Sequence, residues 1–348
     1  DHDLIYFRTL HSFAFRTLGV TKDKMMSKED YREFGMRCNI PIKTASYSDE
    51  DGIFNSDNEY LTIINTARVK KIDLMECYDS RRNLLDIERD TLFLLDQELK
   101  RYKKEKGLKD FTDLLEDFID KDMSPKFKVL FIDEAQDLSH LQWEMVRSIW
   151  NKAEKTYIAG DDDQAIFRWA GADIDHFIAL KDEVDEIQTL KQSYRIPGGP
   201  IHELSQKIIS KVNNRYQKTY NPRKETGLLR YYTDITQVDM SQGEWLILAS
   251  ANHFLNDVKE LCELQGWYYQ YKGVNSLSLE LLLALNNWED FRNGQALNYL
   301  QIKNIYKYLG ANVTPGYRDA KTLKAEEKYL IDDCMQNHGL LTNKVWYE

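Results

Sequence analysis

KVLFIDEAQD (Lys128 to Asp137) and YIAGDDDQAIFRW (Tyr157 to Trp169) decide how this chain is read. In each, a run of apolar residues stops abruptly at acids. A short apolar run bounded by charge reads as a buried strand of a parallel sheet. Such sheets bind ligands where their strands end. Two neighbouring strands would bring Asp133, Glu134, Asp137, Asp161, Asp162 and Gln164 to one edge. Gathering that much carboxylate is costly unless a cation shares it. Mg²⁺ suits the pattern, because it takes one or two carboxylates and leaves its other positions to water and phosphate. A plainer account competes for either half alone: acids after a strand often cap the next helix, and Asp137 before LSHLQWEMV would then be an N-cap. The two halves together, at this spacing, favour the ligand-binding account.

The bulk composition narrows the class. At 348 residues the chain has room for about two domains. Charged residues make up 30% and hydrophobic ones 42%, the balance of an ordinary soluble protein. Net charge is −10, from 47 basic and 57 acidic residues, which argues against a polycation that coats nucleic acid. A local basic groove remains open, and single strands are held largely by stacking and local contacts. No apolar run reaches the length of a membrane span, and the first residues do not form a signal peptide. Cys38, Cys77, Cys262 and Cys334 are far apart and make no CxxC pair, so they read as reduced thiols of a cytoplasmic protein. The seven histidines show no metal spacing. The sequence contains no GxxxxGK[ST], and therefore no Walker A loop.

IDEAQD (Ile132 to Asp137) resembles the Walker B element, motif II, of the UvrD/Rep/PcrA group of superfamily 1 helicases. GDDDQAIFRWAGAD (Gly160 to Asp173) resembles that family's motif III, LKQSYRIP (Leu190 to Pro197) its motif IV, and TLHSFA (Thr9 to Ala14) its motif Ib. Asp110-Phe111 and Asp113-Leu114-Leu115 resemble a signature that family members carry just ahead of motif II. The motifs stand in the family's order and cover roughly the middle of a full member; nothing resembles motifs V or VI. The resemblance implies an α/β fold, with RecA-like parallel-sheet P-loop NTPase domains and helical insert subdomains. It implies an ATP-dependent DNA helicase that moves 3′ to 5′ on single-stranded DNA, with ATP and Mg²⁺ as cofactors. In the family the phosphate loop lies upstream of motif Ib, so this chain is expected to be a truncated piece that hydrolyses ATP poorly by itself.

The resemblance also assigns roles. Phosphoryl transfer needs a metal, a positioned water and positive charge on the developing phosphate oxygens. Asp133 would hold Mg²⁺, and Glu134 would orient and deprotonate the attacking water. Gln164, donor and acceptor at once, would sense the terminal phosphate. Arg195 would place its planar fork on that phosphate. Tyr194 would stack on adenine, and Gln136 and Asp137 would link the nucleotide site to motif III. Thr9, His11 and Ser12 match polar positions that touch the DNA strand, with Leu10 where phenylalanine is common. Phe167 and Trp169 would stack on bases, which gives grip without sequence preference. Ala170 stands where relatives often carry arginine, so one cationic contact is missing. Each position has a plainer reading too. Thr9 or Ser12 would cap a helix beginning near Phe13, Arg195 would form a surface salt bridge, and Gln164 would be a polar loop residue. Tyr194, Phe167 and Trp169 would be core aromatics. The alternative function is a non-catalytic helicase-like module that binds single-stranded DNA. Intact Asp133, Glu134, Gln164 and Arg195 argue against it.

The expected layout has four parts: domain 1A at 1–20 and 121–212, helical insert 1B at 21–120, domain 2A at 213–275 and helical subdomain 2B at 276–348. Residues 21–59 read as irregular and partly mobile. Residues 60–120 read as helical, with Leu84, Ile87, Thr91, Leu94, Leu95 and Leu99 at helical spacing. Strands are expected at 128–133, 155–160 and 185–190, with helices at 138–150 and 201–212. The polar stretch 213–227 reads as a linker. Beyond it, strands are expected at 228–232, 245–249 and 267–271, with a helix at 256–265 and helical segments at 279–285, 296–309 and 325–335.

Overall fold

The computed structural model describes residues 6–47, 53–82, 87–310, 313–314 and 321–344. Leu84 and residues 345–348 lie outside them. The chain divides into two compact units, Asp1–Leu229 and Arg230–Glu348, so the boundary expected at 212/213 falls inside the first. Helices and short strands are mixed throughout, and every sheet among the described residues is a two-stranded pair, two of them parallel.

The first unit opens with α1 (Leu10–Thr17), α2 (Lys28–Cys38) and an antiparallel hairpin of β1 (Ala45–Tyr47) and β2 (Phe54–Ser56). The described residues of 21–59 are thus more ordered than their polar composition suggested. Ser27 and Asp30 form a capping box that starts α2, and Asn39 in the left-handed region ends it. Four helices follow: α3 (Glu59–Lys70), α4 (Leu74–Asp79), α5 (Arg89–Lys106) and α6 (Phe111–Asp120). Phe34, Leu61, Ile63, Leu92, Leu95, Leu99 and Tyr102 form the core that α2, α3 and α5 share.

A buried ionic knot ties these helices to α6. Arg68 on α3 reaches Asp110 at 2.8 Å and Glu116 at 2.7 Å, and Lys103 on α5 reaches Asp110 and Asp113, each at 2.7 Å. Burial alone would discourage a charge on Asp110, but Arg68 and Lys103 outweigh it and hold its carboxyl well below the ordinary range. Asp110 and Asp113 also make the capping box of α6.

The parallel pair at the centre is β3 (Phe127–Ile132) and β4 (Ala153–Ile158), joined by α7 (His140–Trp150). Val129 faces Lys155 and Phe131 faces Tyr157 across the ladder. Leu130, Ile132 and Ile158 pack towards α7 among Leu141, Val146 and Ile149. The expected burial holds on that face only. On the other, Phe131 and Tyr157 stack at 5.1 Å and are both exposed.

After α8 (Ile174–Ala179) a second parallel pair forms from β5 (Gln192–Gly198) and β6 (Asn221–Thr226), with α9 (Pro200–Ile209) as the crossover. No strand forms at 185–190, where Ile187 and Leu190 are exposed. The strand instead carries QSYRIPG, and its partner lies in the stretch read as a linker.

In the second unit, α10 (Asn256–Leu264) is where it was expected. The strands expected at 228–232 and 245–249 do not form; Leu228, Tyr231, Trp245, Leu246 and Leu248 are exposed. A strand needs a ladder partner for its backbone, and an apolar run does not supply one. The strand expected at 267–271 shrinks to β7 (Gln270–Tyr271), paired with β8 (Val274–Asn275). Next come α11 (Leu279–Arg292), β9 (Leu297–Asn298), α12 (Tyr299–Tyr308), β10 (Lys328–Tyr329) and α13 (Ile331–Asn337). Trp288, Phe291, Ile302, Ile305 and Tyr306 form their core. Among the described residues no helix is long and apolar enough to cross a membrane.

Candidate functional site

Strand pairing continues past the ends of β3 and β4. Ala159 donates its N–H to the Ile132 carbonyl at 2.8 Å, and Ala135 donates to the Ala159 carbonyl at 3.0 Å. Asp133 and Glu134 therefore lie opposite Ala159, next in sequence to Gly160 and Asp161. Glu134 adopts φ +49°. A left-handed conformation costs a residue with a Cβ about 1–2 kcal/mol, and strain of this kind gathers at functional sites. Gln136 is 1% exposed and makes three bonds. Its Nε2 donates to Glu134 Oε2 at 2.8 Å and to Asp137 Oδ2 at 3.2 Å, and its Oε1 accepts the Asp161 N–H at 2.9 Å. A Cβ on Gly160 would stand 2.8 Å from that Oε1 and 2.7 Å from the Phe177 ring, so only glycine fits beneath the bridge. Asp137 is not the N-cap of α7. Ser139 takes that place, in a capping box with Gln142.

Gln164 donates its amide to Asp161 Oδ2 at 2.6 Å. The cation that shares these acids is the chain's own. Arg215 Nε donates to Asp163 Oδ1 at 2.7 Å, while Lys218 Nζ contacts Asp161 at 2.9 Å, Asp163 at 3.2 Å and also Asp162. The Tyr216 N–H donates to Asp162 Oδ2 at 2.6 Å. Burial opposes charge on Asp161, but the bonds from Gln164 and Lys218 outweigh it and lower its pKa. Lys218 is raised in turn, its burial outweighed by Asp162 and Asp161. Lys218 thus sets its charge against Asp161 and Asp162, and Arg215 against Asp163, in the acid cluster where the sequence called for a shared cation.

Asp133 and Glu134 are exposed. Among the described residues no three His, Cys, Asp or Glu side chains converge as a metal cage. One or two hard carboxylates open to water is a donor set that fits Mg²⁺, which seldom uses an all-protein cage.

Asp133, Glu134, Gln164, Tyr194 and Arg195 line one broad cleft, together with Thr9, His11 and Phe167. Tyr194 is exposed, and the Arg195 side chain forms no ion pair among the described residues. Hydrogen bonds join Glu134, Gln136, Asp137, Asp161 and Gln164 to one another; Tyr194 and Arg195 stand outside that network. Thr9 caps α1, its Oγ1 accepting the Ser12 N–H at 3.3 Å. His11 is buried, with its ring edge-on to Phe111 at 5.7 Å, and burial lowers its pKa to about 4. It supports the motif from inside rather than facing solvent. Phe167 is half-buried and Trp169 is 60% exposed. Arg81 Nη2 donates to the Trp169 carbonyl at 3.2 Å. Gly171, at φ +114°, presses on α3: a Cβ there would meet Val69 Cγ2 at 2.8 Å.

Sequence reasoning missed Arg215, Lys218, Arg81 and Gly160. One signal was available. Three consecutive aspartates call for positive charge, and Arg215 and Lys218 stand within a stretch otherwise read only as polar.

The UvrD/REP helicase N-terminal domain family matches residues 2–185. The ATP-dependent DNA helicase PcrA of Staphylococcus epidermidis is 30% identical over 139 residues, which cover 37% of this chain and 18% of that helicase. The ATP-dependent DNA helicase PcrA of Staphylococcus aureus is 30% identical over 145 residues, 38% of this chain and 18% of that helicase. The match thus spans less than a fifth of the length of these curated relatives.

Proposed function

The chain belongs to the UvrD/REP helicase family, and from that membership we propose that it is part of an ATP-dependent DNA helicase working 3′ to 5′ on single-stranded DNA. In this reading β3–α7–β4, β5 and α9 belong to RecA-like domain 1A, β6 falls in domain 2A, and the two domains share a nucleotide. The observation that carries it is the bonded series Glu134–Gln136–Asp161–Gln164, which joins motif II to motif III. Asp133 holds Mg²⁺, which when bound offsets charge developing on the phosphate oxygens. Glu134 orients and deprotonates the attacking water. Gln164 responds to the terminal phosphate, and the Arg195 guanidinium is free to meet it. Tyr194 stacks on adenine. Thr9, Ser12, Phe167 and Trp169 follow the DNA strand, with His11 behind them.

Because the 348 residues contain no GxxxxGK[ST], we propose that they hydrolyse ATP poorly by themselves. The same feature favours the second reading, a non-catalytic module for single-stranded DNA. The presence of Asp133, Glu134, Gln164 and Arg195 opposes it.

Fluorescence anisotropy of a labelled oligo(dT), paired with a DNA-stimulated ATPase assay, tests both points. Salt-sensitive oligo(dT) binding and near-background ATPase are expected. Absence of oligo(dT) binding overturns the proposed function, and robust ATPase overturns the claim of poor hydrolysis.

A further inference from the structure

Two helices end beside the motif III loop, and each brings a cation there. Lys70 stands in the last turn of α3. A Cβ on Gly171 would meet Val69 Cγ2 at 2.8 Å and Lys70 Cγ at 3.8 Å, so the loop rests directly on that turn. Arg81 stands just past α4, in a turn closed by its own N–H on the Tyr78 carbonyl at 3.0 Å. Its Nη2 donates to the Trp169 carbonyl at 3.2 Å, a link across 88 residues of sequence. The Cys77 thiol on α4 lies within electrostatic reach of both cations: burial pushes it up, and Arg81 and Lys70 oppose the rise. Lys70 and Arg81 therefore share one neighbourhood, beside an indole that is 60% exposed.

Their lack of a counter-charge sets these two apart. Other cations on the same elements are taken: Arg68 is held in the knot, Lys71 meets Glu144 at 3.0 Å and Arg168 meets Asp175 at 3.7 Å. Among the described residues neither Lys70 nor Arg81 forms an ion pair, in a chain of net charge −10 where carboxylates are plentiful. Arg81 spends one N–H donor on the Trp169 carbonyl, and no described residue takes the others. The open part of that planar fork suits a phosphate. The field at a helix C-terminus explains why a cation sits at the end of α3 or α4. It does not explain why Arg81 turns back onto the backbone of an exposed aromatic. A base stacked on that ring brings its own phosphate close to the same backbone.

We propose that Arg81 and Lys70 bind phosphates of the strand whose bases stack on Trp169, so that α3 and α4 supply the charge and the motif III loop the stacking surface. Ala170, next to the indole, brings no charge of its own. The phosphate contacts presuppose the single-stranded DNA function proposed above.

Oligo(dT) anisotropy at salt from about 50 to 200 mM separates charge from stacking. Each phosphate contact to a single strand contributes about 0.7 to the slope of log K against log salt. Arg81→Gln should lower that slope by about 0.7, and Arg81→Gln/Lys70→Gln by about 1.4. Arg81→Lys keeps the charge and should keep the parent slope. Trp169→Ala should lose affinity at every salt with the slope unchanged. Lys28→Gln, which removes an exposed cation on α2, should also leave the slope alone. If Arg81→Gln loses its circular dichroism, Lys70→Gln replaces it with the same expected drop. A slope unmoved in the folded variant, even with affinity lowered, would make Arg81 only a brace for the loop and overturn the proposal. An equal drop in Lys28→Gln would overturn it too. A parent that binds no oligo(dT) sinks the helicase reading and the phosphate contacts together. A parent that binds, with a slope that Arg81→Gln does not move, sinks the phosphate contacts alone.

Discussion

Gln136 accepts the backbone N–H of Asp161 at 2.9 Å, and through its other amide atom holds Glu134 at 2.8 Å. One buried side chain thus fixes the relative position of two acids that come from different strands. A carboxamide can do this because it donates and accepts at once. Gln136→Leu removes both functions at similar size and leaves the Asp161 N–H without its acceptor. An orphaned polar group costs about 1–3 kcal/mol. That loss should appear as a lower urea midpoint with unchanged slope, and a midpoint equal to the parent's would show that the bridge holds nothing.

Gly160 lies directly under that bridge. Gly160→Ala would place a methyl 2.7 Å from the Phe177 ring and 2.8 Å from Gln136 Oε1. Overpacking of this kind costs about 1–3 kcal/mol. Phe177 is partly buried, and shortening it should relieve part of the clash. Urea denaturation of Gly160→Ala, alone and with Phe177→Leu, should show the double variant less destabilised than the sum of the singles.

Arg68 is the centre of the knot that joins α3 to α6. Arg68→Ala would leave Asp110 and Asp113 with Lys103 alone and would remove the Arg68 ion pair from Glu116. Removing one partner of a buried ion cluster costs about 3–5 kcal/mol, because the remaining charges stay buried. Thermal unfolding should show a drop of that size. A change under about 0.5 kcal/mol, the range of ordinary surface substitutions, would mean that the knot is not structural.

Trp169 stands out from the loop while its backbone is held by Arg81 at 3.2 Å. Stacking of a base on an aromatic ring contributes about 1–3 kcal/mol. Trp169→Ala should therefore weaken oligo(dT) binding by roughly 5- to 150-fold at fixed salt. Trp169→Phe should keep most of the affinity. Equal affinities for all three proteins would remove Trp169 from the DNA surface.

The sequence was legible where a local pattern and its tertiary setting agree. β3, α7 and β4 could be read because an apolar run, a capping box and a second apolar run follow one another within a few tens of residues. Gln136 was singled out only through the resemblance, since nothing local says that an amide after two acids bonds across to the Asp161 N–H. Pairing between distant segments was not legible. β6 is polar on nearly every residue (NPRKET), and its identity as a strand comes from β5, about thirty residues earlier. The reverse error occurred at 245–249, where apolar residues lack a partner strand and stay exposed. Asp110 and Asp113 were noticed as a signature, but their work, capping α6 while binding Arg68 and Lys103, depends on helices that sequence order keeps apart.

His11 gives a pH dependence whose sign can be worked out. Burial lowers its pKa from 6.5 to about 4, and the Asp110 carboxylate that faces it opposes this only in part. Between these two values the unfolded chain binds a proton that the folded chain refuses. Stability therefore falls as pH drops from about 6.5 towards 4, and levels off below, for a total of about 3 kcal/mol. Asp110 acts in a lower window. Its folded pKa is depressed, so its contribution is full above the ordinary carboxylate range and is lost only in stronger acid. His176 is also lowered, by burial and by Arg147, and adds a slope of the same sign to parent and variant alike. Urea midpoints at pH 7.5, 6, 5 and 4.5 should converge less steeply in His11→Gln than in the parent. Identical pH profiles would mean that His11 is not held neutral inside the fold.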